Sequence, residues 1–266
     1  MKGIDISKHN VIKSFPALKT QGIEFCVVRA GYGTAVDPKF KAHISAARAA
    51  GMLVGVYWFC YALDPVDARW EAECCIKALG GEKLDLPVFY DFEYDTERYA
   101  EKHGTKYTPK SRTDIIDAFC AEIVRRGYTA GVYTNPDYWL YRLNSDRLTK
   151  YPLWIAAYRQ ADCKASFSTT LPTDLPPAYQ NAMLWQFGKC KFPKAVGYVD
   201  INYGYGLKSK PRITTYTPGE KYTIKKGDMY VTGKAVPSRY VGKTYTIQQV
   251  KPDRILLANI MSWVAI

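Results

Sequence analysis

The chain has 266 residues, 47% hydrophobic and 14% aromatic, which suits one large folded domain with a small second one and excludes a disordered chain. Its formal charge of +12 implies an acidic partner, but the basic residues are scattered and match no nucleic-acid-binding module, so no nucleic acid is expected. The longest apolar run, Met52 to Leu63, is too short for a membrane span of roughly 20 residues, and the opening Met1-Lys2-Gly3-Ile4-Asp5 lacks a secretory signal, so no membrane partner and synthesis in the cytosol are expected.

From the N-terminus, apolar β-type runs are predicted at Gly3–Ser7, Phe25–Ala30, Leu53–Tyr61, Leu86–Glu93, Ala130–Thr134, Leu153–Ala157, Met183–Phe187 and Tyr198–Asn202. Amphipathic helical patterns lie between them, clearest at Pro38–Gly51, Pro65–Leu79 and Pro109–Gly127, each opening near a proline that suits a first helical turn. Near-continuous apolar strands alternating with helices predict an α/β fold, and eight of them predict a closed parallel barrel. The barrel is expected to be irregular, because Ala161 to Ala178 is rich in Pro, Ser and Thr where a helix should fall. Residues 208–218 read as a linker, after which the pattern changes to short runs at Tyr222–Lys225, Met229–Thr232, Thr244–Val250, Arg254–Ala258 and Met261–Ile266. The expected organisation is thus a barrel over 1–207 and a small all-β domain over 219–266. From Pro211 onward the chain has nine Lys/Arg against three Asp/Glu, so this stretch supplies +6 of the +12.

The seven cysteines form no Cys-x-x-Cys pair, and with only His9, His43 and His103 no zinc spacing arises; free thiols and no metal or cofactor are expected. The chemistry is predicted in Val88-Phe89-Tyr90-Asp91-Phe92-Glu93, an apolar strand ending in two carboxylates two residues apart. Alternation aims Asp91 and Glu93 the same way. Two like charges so placed resist simultaneous ionisation, which keeps one as an acid beside an anion, the arrangement glycosidases use. Asp5 on the first strand and Asp200 at the end of the last would face the same mouth of a closed barrel, because catalytic groups gather at the C-terminal ends of its strands. Taken singly, Asp5 and Asp200 each read equally well as a helix cap or turn residue, and the Asp91–Glu93 pair taken alone reads more readily as a strand that ends and exposes its charges to water.

The ordered pieces Gly-Ile-Asp-Ile-Ser at 3–7, Val-Arg-Ala-Gly-Tyr-Gly at 28–33, Gly-Val-Tyr-Trp-Phe at 55–59, Pro-Val-Phe-Tyr-Asp-Phe-Glu at 87–93, Trp-Ile-Ala-Ala-Tyr at 154–158, Trp-Gln-Phe at 185–187 and Val-Asp-Ile-Asn at 199–202 resemble the glycoside hydrolase family 25 lysozymes, the Chalaropsis-type muramidases. Two departures touch the substrate subsites: Tyr57-Trp58 stands where an aromatic-His pair is common, and Lys8-His9-Asn10 where a Gln-Gly-type sequence is more frequent. The resemblance implies hydrolysis of the β-1,4 bond between N-acetylmuramic acid and N-acetylglucosamine in peptidoglycan. It implies Glu93 as general acid, Asp91 orienting the N-acetyl group or stabilising the oxocarbenium-like centre, and Asp5 and Asp200 completing the acidic floor. The family is regarded as retaining, with the substrate's acetamido oxygen as one candidate nucleophile.

Candidate sugar-binding residues are Tyr57, Phe59 and Tyr61 on one strand face, Tyr32, Tyr133, Trp154 and Tyr158 near strand ends, and Gln186, whose amide in an apolar strand needs a partner. Aromatics on barrel strands are more often core, so about a third of these are expected to touch substrate. A chitinase-type Asp-x-x-Asp-x-Asp-x-Glu would need acids where Leu86 and Phe89 stand; no Gly-x-Ser-x-Gly elbow is present; and Gly242-Lys243-Thr244 lacks the earlier glycine of a phosphate loop, position 237 being proline. The rival from another class is a non-catalytic wall-binding lectin on the same barrel. The tail reads as an SH3-like module for anionic cell-wall polymers rather than a LysM repeat, which would follow Tyr222–Asp228 with two helices. A wall hydrolase without an export signal fits a phage or prophage endolysin of a Gram-positive host, made in the host cytoplasm and acting on the wall after release.

Overall fold

The computed structural model describes residues 1–158, 179, 181–192, 195–208, 216–228, 230, 232, 235–251 and 254–265. The chain divides into two compact units, Met1–Lys208 and Ser209–Ile266. The helix-poor stretch 161–178 and most of the 208–218 linker lie outside the described residues.

The first unit runs β1 (Lys2–Ile6), α1 (Phe15–Thr20), β2 (Phe25–Tyr32), β3 (Ala35–Val36), α2 (Phe40–Ala49), β4 (Leu53–Phe59), α3 (Pro65–Leu79), β5 (Val88–Asp91), α4 (Tyr94–Lys102), α5 (Pro109–Arg125), β6 (Ala130–Thr134), β7 (Leu153–Ala156), β8 (Leu184–Phe192) and β9 (Val196–Gly204). Hydrogen bonding follows β1-β9-β8-β7-β6-β5-β4-β2 and returns from β2 to β1, so eight strands close a barrel, with β3 folded back on β2. The expected all-parallel barrel is corrected at one strand, since β9 runs antiparallel to both β8 and β1. The cause is the short link from Phe192 to Val196, a hairpin with no room for the dozen residues a parallel crossover needs.

Strand alternation separates two cores. Outward residues such as Ile4, Val28, Val56, Tyr90, Val132 and Ile155 pack with α2, α3 and α5, for example through the Tyr90 ring stacked 3.8 Å from Phe119. The inward set is smaller: Phe25, Val27, Leu53, Leu86, Phe89, Tyr133, Trp154 and Leu184. Glycines make room for its rings, since a Cβ on Gly3 would lie 2.2 Å from Phe25 and one on Gly131 2.6 Å from Phe89. This aromatic plug fills the lower barrel and leaves the polar inward positions one layer above it, at the C-terminal mouth of the parallel strands.

The second unit is a four-stranded antiparallel sheet in sequence order: β10 (Lys221–Thr223), β11 (Thr244–Lys251), β12 (Arg254–Leu257) and β13 (Ser262–Ala265). Tyr222, Ile224, Val236, Ile247, Ile255, Leu257 and Val264 form its core. Of the predicted run Met229–Thr232, Met229 and Val231 lie outside the described residues, and Tyr230 makes an isolated bridge to Val264. Among the described residues of both units, no helix is long and apolar enough to cross a membrane.

Candidate active site

Phe89 and Asp91 face into the barrel on β5, Phe89 in the plug and Asp91 one layer higher. The strand is shorter than predicted: its pairing ends at Asp91, and Glu93 is the N-cap of α4. Its backbone stays extended (φ −147°, ψ −171°), so alternation continues past the last ladder bond and brings Glu93 to the same side as Asp91. The Glu93 N–H donates to Thr96 Oγ1 at 3.3 Å, and Asp95 and Glu97 add negative charge to the first turn, where a helix favours it.

Asp5 and Asp200 are directly paired residues of β1 and β9. Asp200 is not at the end of its strand as expected; it is the middle residue of β9 and comes to the mouth because that strand runs antiparallel to β1 and pairs it with Asp5. A bulge between Gln186 and Gly188 shifts the alternation of β8, so Lys189 rather than Gly188 pairs with Asp200, its Nζ 3.7 Å from Oδ1. Asp5 Oδ2 accepts from Gln186 Nε2 and Asn202 Nδ2, each at 2.8 Å. Gln186 Oε1 in turn accepts from Tyr133 OH at 2.9 Å and Tyr158 OH at 2.8 Å, and the Tyr158 hydroxyl also lies 3.3 Å from Asp200 Oδ1. The partner that the Gln186 amide requires is therefore this network, which fixes Asp5 from two adjacent strands.

Burial pushes all four carboxyls up. Asp5 rises to about 7 through burial and then Asp200, against the two amide donors. Asp91 is held well above the usual carboxylate range by burial, then Glu93, then Asp5. Glu93 rises to about 6 through burial and Asp95, opposed by Arg98, and Asp200 is raised by burial against Lys189 and Tyr158. A mouth holding four such groups retains protons at neutral pH and offers an acid beside anions. Two buried polar atoms here have no partner among the described residues, Asp91 Oδ1 and Arg29 Nη2. Among those residues no three His, Cys, Asp or Glu side chains converge as a metal site requires.

The predicted aromatics divide. Trp154 is 1% exposed, donates its indole N–H to Asn202 Oδ1 at 2.8 Å and packs on Tyr57, Phe89 and Tyr133, so it supports the floor from beneath. Tyr133, 8% exposed, belongs to the same layer. Tyr57 and Phe59 are half-buried on the inner face, and Tyr158 is 49% exposed beside Asp200. Tyr32 and Tyr61 lie to one side, edge to face at 6.3 Å. Sequence reasoning missed Asn202, Lys189 and Arg29. Asn202 had a usable signal, being two residues from Asp200 in Val-Asp-Ile-Asn and so on the same face.

Residues 4–192 match the family described as Glycosyl hydrolases family 25. An autolytic lysozyme of Clostridium acetobutylicum is 29% identical over 159 residues, 59% of this chain and 45% of that protein, so the chain spans less than half of this relative. A probable GH family 25 lysozyme of Dictyostelium discoideum is 28% identical over 179 residues, covering 65% of this chain and 77% of its own. Among solved structures, the crystal structure of the CTP1L endolysin superposes with a TM-score of 0.60 at 25% identity, over 77% of this chain and 66% of that one. With that match running from β1 into β8 and through three of the four carboxylates, the chain belongs to glycosyl hydrolase family 25.

Proposed function

We propose that this chain is a peptidoglycan hydrolase, an N-acetylmuramidase that cleaves the β-1,4 bond between N-acetylmuramic acid and N-acetylglucosamine of bacterial cell walls. The observation that carries the reading is the set of four carboxyls at one barrel mouth, Asp5 and Asp91 buried and Glu93 and Asp200 half-buried, with Glu93 raised to about 6. In the mechanism, Glu93 protonates the glycosidic oxygen as general acid. Asp91 holds the N-acetyl group through Oδ1, the atom left without a partner. Asp5 and Asp200 complete the floor, where their charge favours an oxocarbenium-like centre. Tyr57, Phe59 and Tyr158 provide sugar-facing surface, and Gln186 and Tyr133 act by positioning Asp5.

Family membership and the likeness to an autolytic lysozyme and an endolysin favour this over a lectin on the same barrel. The endolysin likeness supports a phage or prophage enzyme, made in the cytoplasm of a Gram-positive host and acting on the wall after release. The second unit is read as an SH3-like module that holds anionic wall polymers. Its four-stranded sheet, and the absence of an α-helix among its described residues, favour this over a LysM repeat. Exposed Lys221, Lys225, Lys226, Arg239, Lys243 and Lys251 supply the charge. Reducing-end analysis of digested peptidoglycan tests the activity. New muramic acid ends are expected; glucosamine ends mean a glucosaminidase, and no new ends mean the binding protein.

A further inference from the structure

Beside the mouth lies a cavity of about 380 Å³ to which the mechanism assigns nothing. Its volume is within the roughly 300–1,000 Å³ typical of ligand pockets. Tyr32, Tyr61 and Tyr99 line it, with Trp70 of α3 on its rim and Glu71 in its wall. Backbone bonds tie it to the acids: Gly33 N–H donates to Phe59 O at 3.1 Å, and Cys60 N–H to Asp91 O at 3.0 Å. Rings continue outward from the mouth, Phe59 lying 5.1 Å from Tyr61, Tyr61 4.5 Å from Tyr99, and Tyr99 4.1 Å from His103.

Trp70 is 58% exposed, and among the described residues no ring contact or hydrogen bond engages it. A large ring left bare on a cavity rim costs solubility and gains nothing for the fold, whereas it offers a flat apolar face to a ligand. The lining carboxyls are Asp67 and Glu71, the latter pushed up to about 8 by burial, so the cavity carries little charge at neutral pH. Both Glu71 oxygens are already used, accepting from Tyr90 OH at 2.8 Å and Tyr61 N–H at 2.9 Å, while Asp67 Oδ2 accepts from Leu63 N–H at 3.0 Å. No Lys or Arg lines the cavity itself, and the two nearby cations are engaged behind Tyr32, Lys8 Nζ donating to its hydroxyl at 3.0 Å and Arg29 pairing with Asp37 at 2.8 Å. In a glycan of alternating units, the muramic unit carries a lactyl carboxylate and the glucosamine unit carries none.

We propose that this pocket is a distal subsite for a neutral N-acetylglucosamine unit of the wall glycan, which stacks on Trp70 and Tyr99 while the chain crosses the acids. The proposal rests on the peptidoglycan reading, and its test separates the two. Chitotetraose, a neutral N-acetylglucosamine oligomer, is titrated calorimetrically into the full chain and its Trp70→Ala and Tyr99→Ala variants. Each substitution is expected to weaken binding about tenfold, the upper range of one aromatic contact. Trp70 is on the surface, so its variant remains informative should Tyr99→Ala fold poorly. Unchanged affinity in Trp70→Ala overturns the subsite even where muramidase activity is established. Trp70-dependent binding by a chain that releases no muramic ends would keep the subsite and discard the muramidase reading.

Discussion

Replacing Asp5 with asparagine should stabilise the protein in alkali while impairing hydrolysis. Asp5 is buried, and its carboxyl is raised to about 7 by burial and by Asp200. In the unfolded chain it would titrate near 3.9. Between those values the folded state binds more protons than the unfolded one, so stability falls as pH rises through the window, and the loss is complete above about 7. Three units at about 1.4 kcal/mol each put that loss near 4 kcal/mol. Asparagine has the same shape and retains an oxygen to accept from Gln186 or Asn202, although it satisfies the pair less well than a carboxylate does. The expected net gain is about 2–4 kcal/mol at pH 8, shrinking to under about 1 kcal/mol at pH 4, where Asp5 is protonated in the fold and half-protonated outside it. Urea unfolding at both pH values, followed by tryptophan fluorescence, measures this, since only Trp263 of the six tryptophans lies outside the barrel unit. An equal effect at the two pH values, or a loss at pH 8, would refute the claim that ionised Asp5 is held at a cost.

Glu93→Gln should reduce peptidoglycan hydrolysis by about 10²–10⁴-fold with fold and wall binding retained, and lysis within a few-fold of the parent would remove Glu93 from the acid role. Because Glu93 must be protonated to act and sits at about 6, the rate should fall as pH rises through that value. Asp95→Asn removes the neighbour that most raises it and frees Arg98, so that limb should move to lower pH; an unmoved limb would show that another group sets it. Gly131→Ala should destabilise the barrel by about 1–3 kcal/mol or more in thermal unfolding, since the new Cβ would meet the Phe89 ring at 2.6 Å and Pro152 O at 3.0 Å. The truncated chain Met1–Lys208 should stay folded and cleave soluble fragments yet lose most binding to whole cells at low salt, and undiminished cell binding would contradict a targeting role for the second unit.

Helix α3 was legible to the residue. Asp64 caps it through the N–H groups of Val66 and Asp67, Pro65 opens it, and Gly80 closes it at φ 61°, all local signals. Helix α4 was not, because Tyr-Asp-Thr-Glu-Arg-Tyr-Ala-Glu-Lys carries no apolar stripe and buries only Thr96 and Ala100. The predicted strand therefore ran on to Glu93, although the shared direction of Asp91 and Glu93 needs only extended backbone. The direction of β9 is invisible to periodicity, which is the same for parallel and antiparallel strands; the signal was the short Phe192–Val196 link. Alternation also gives the face of a residue but not its depth. Trp154 and Gln186 both face inward, yet the stagger of the strands puts the ring in the plug and the amide in the network above it.

That layering also explains how a cluster of mutually repelling acids keeps its geometry. Phe25 seated on Gly3 and Phe89 on Gly131 make a floor that cannot sink without overlap. Trp154 rests on that floor and holds Asn202, which with Gln186 holds Asp5. Asp200 is drawn the other way by Lys189 and Tyr158, so the pair can neither separate nor collapse together. In a site free to relax, water or a rotamer change would screen the carboxyls and return them to ordinary values. Here the raised protonation of Asp5 and Glu93 is a product of the packing beneath them, so substitutions in the plug should be felt in the pH dependence of the site as well as in stability.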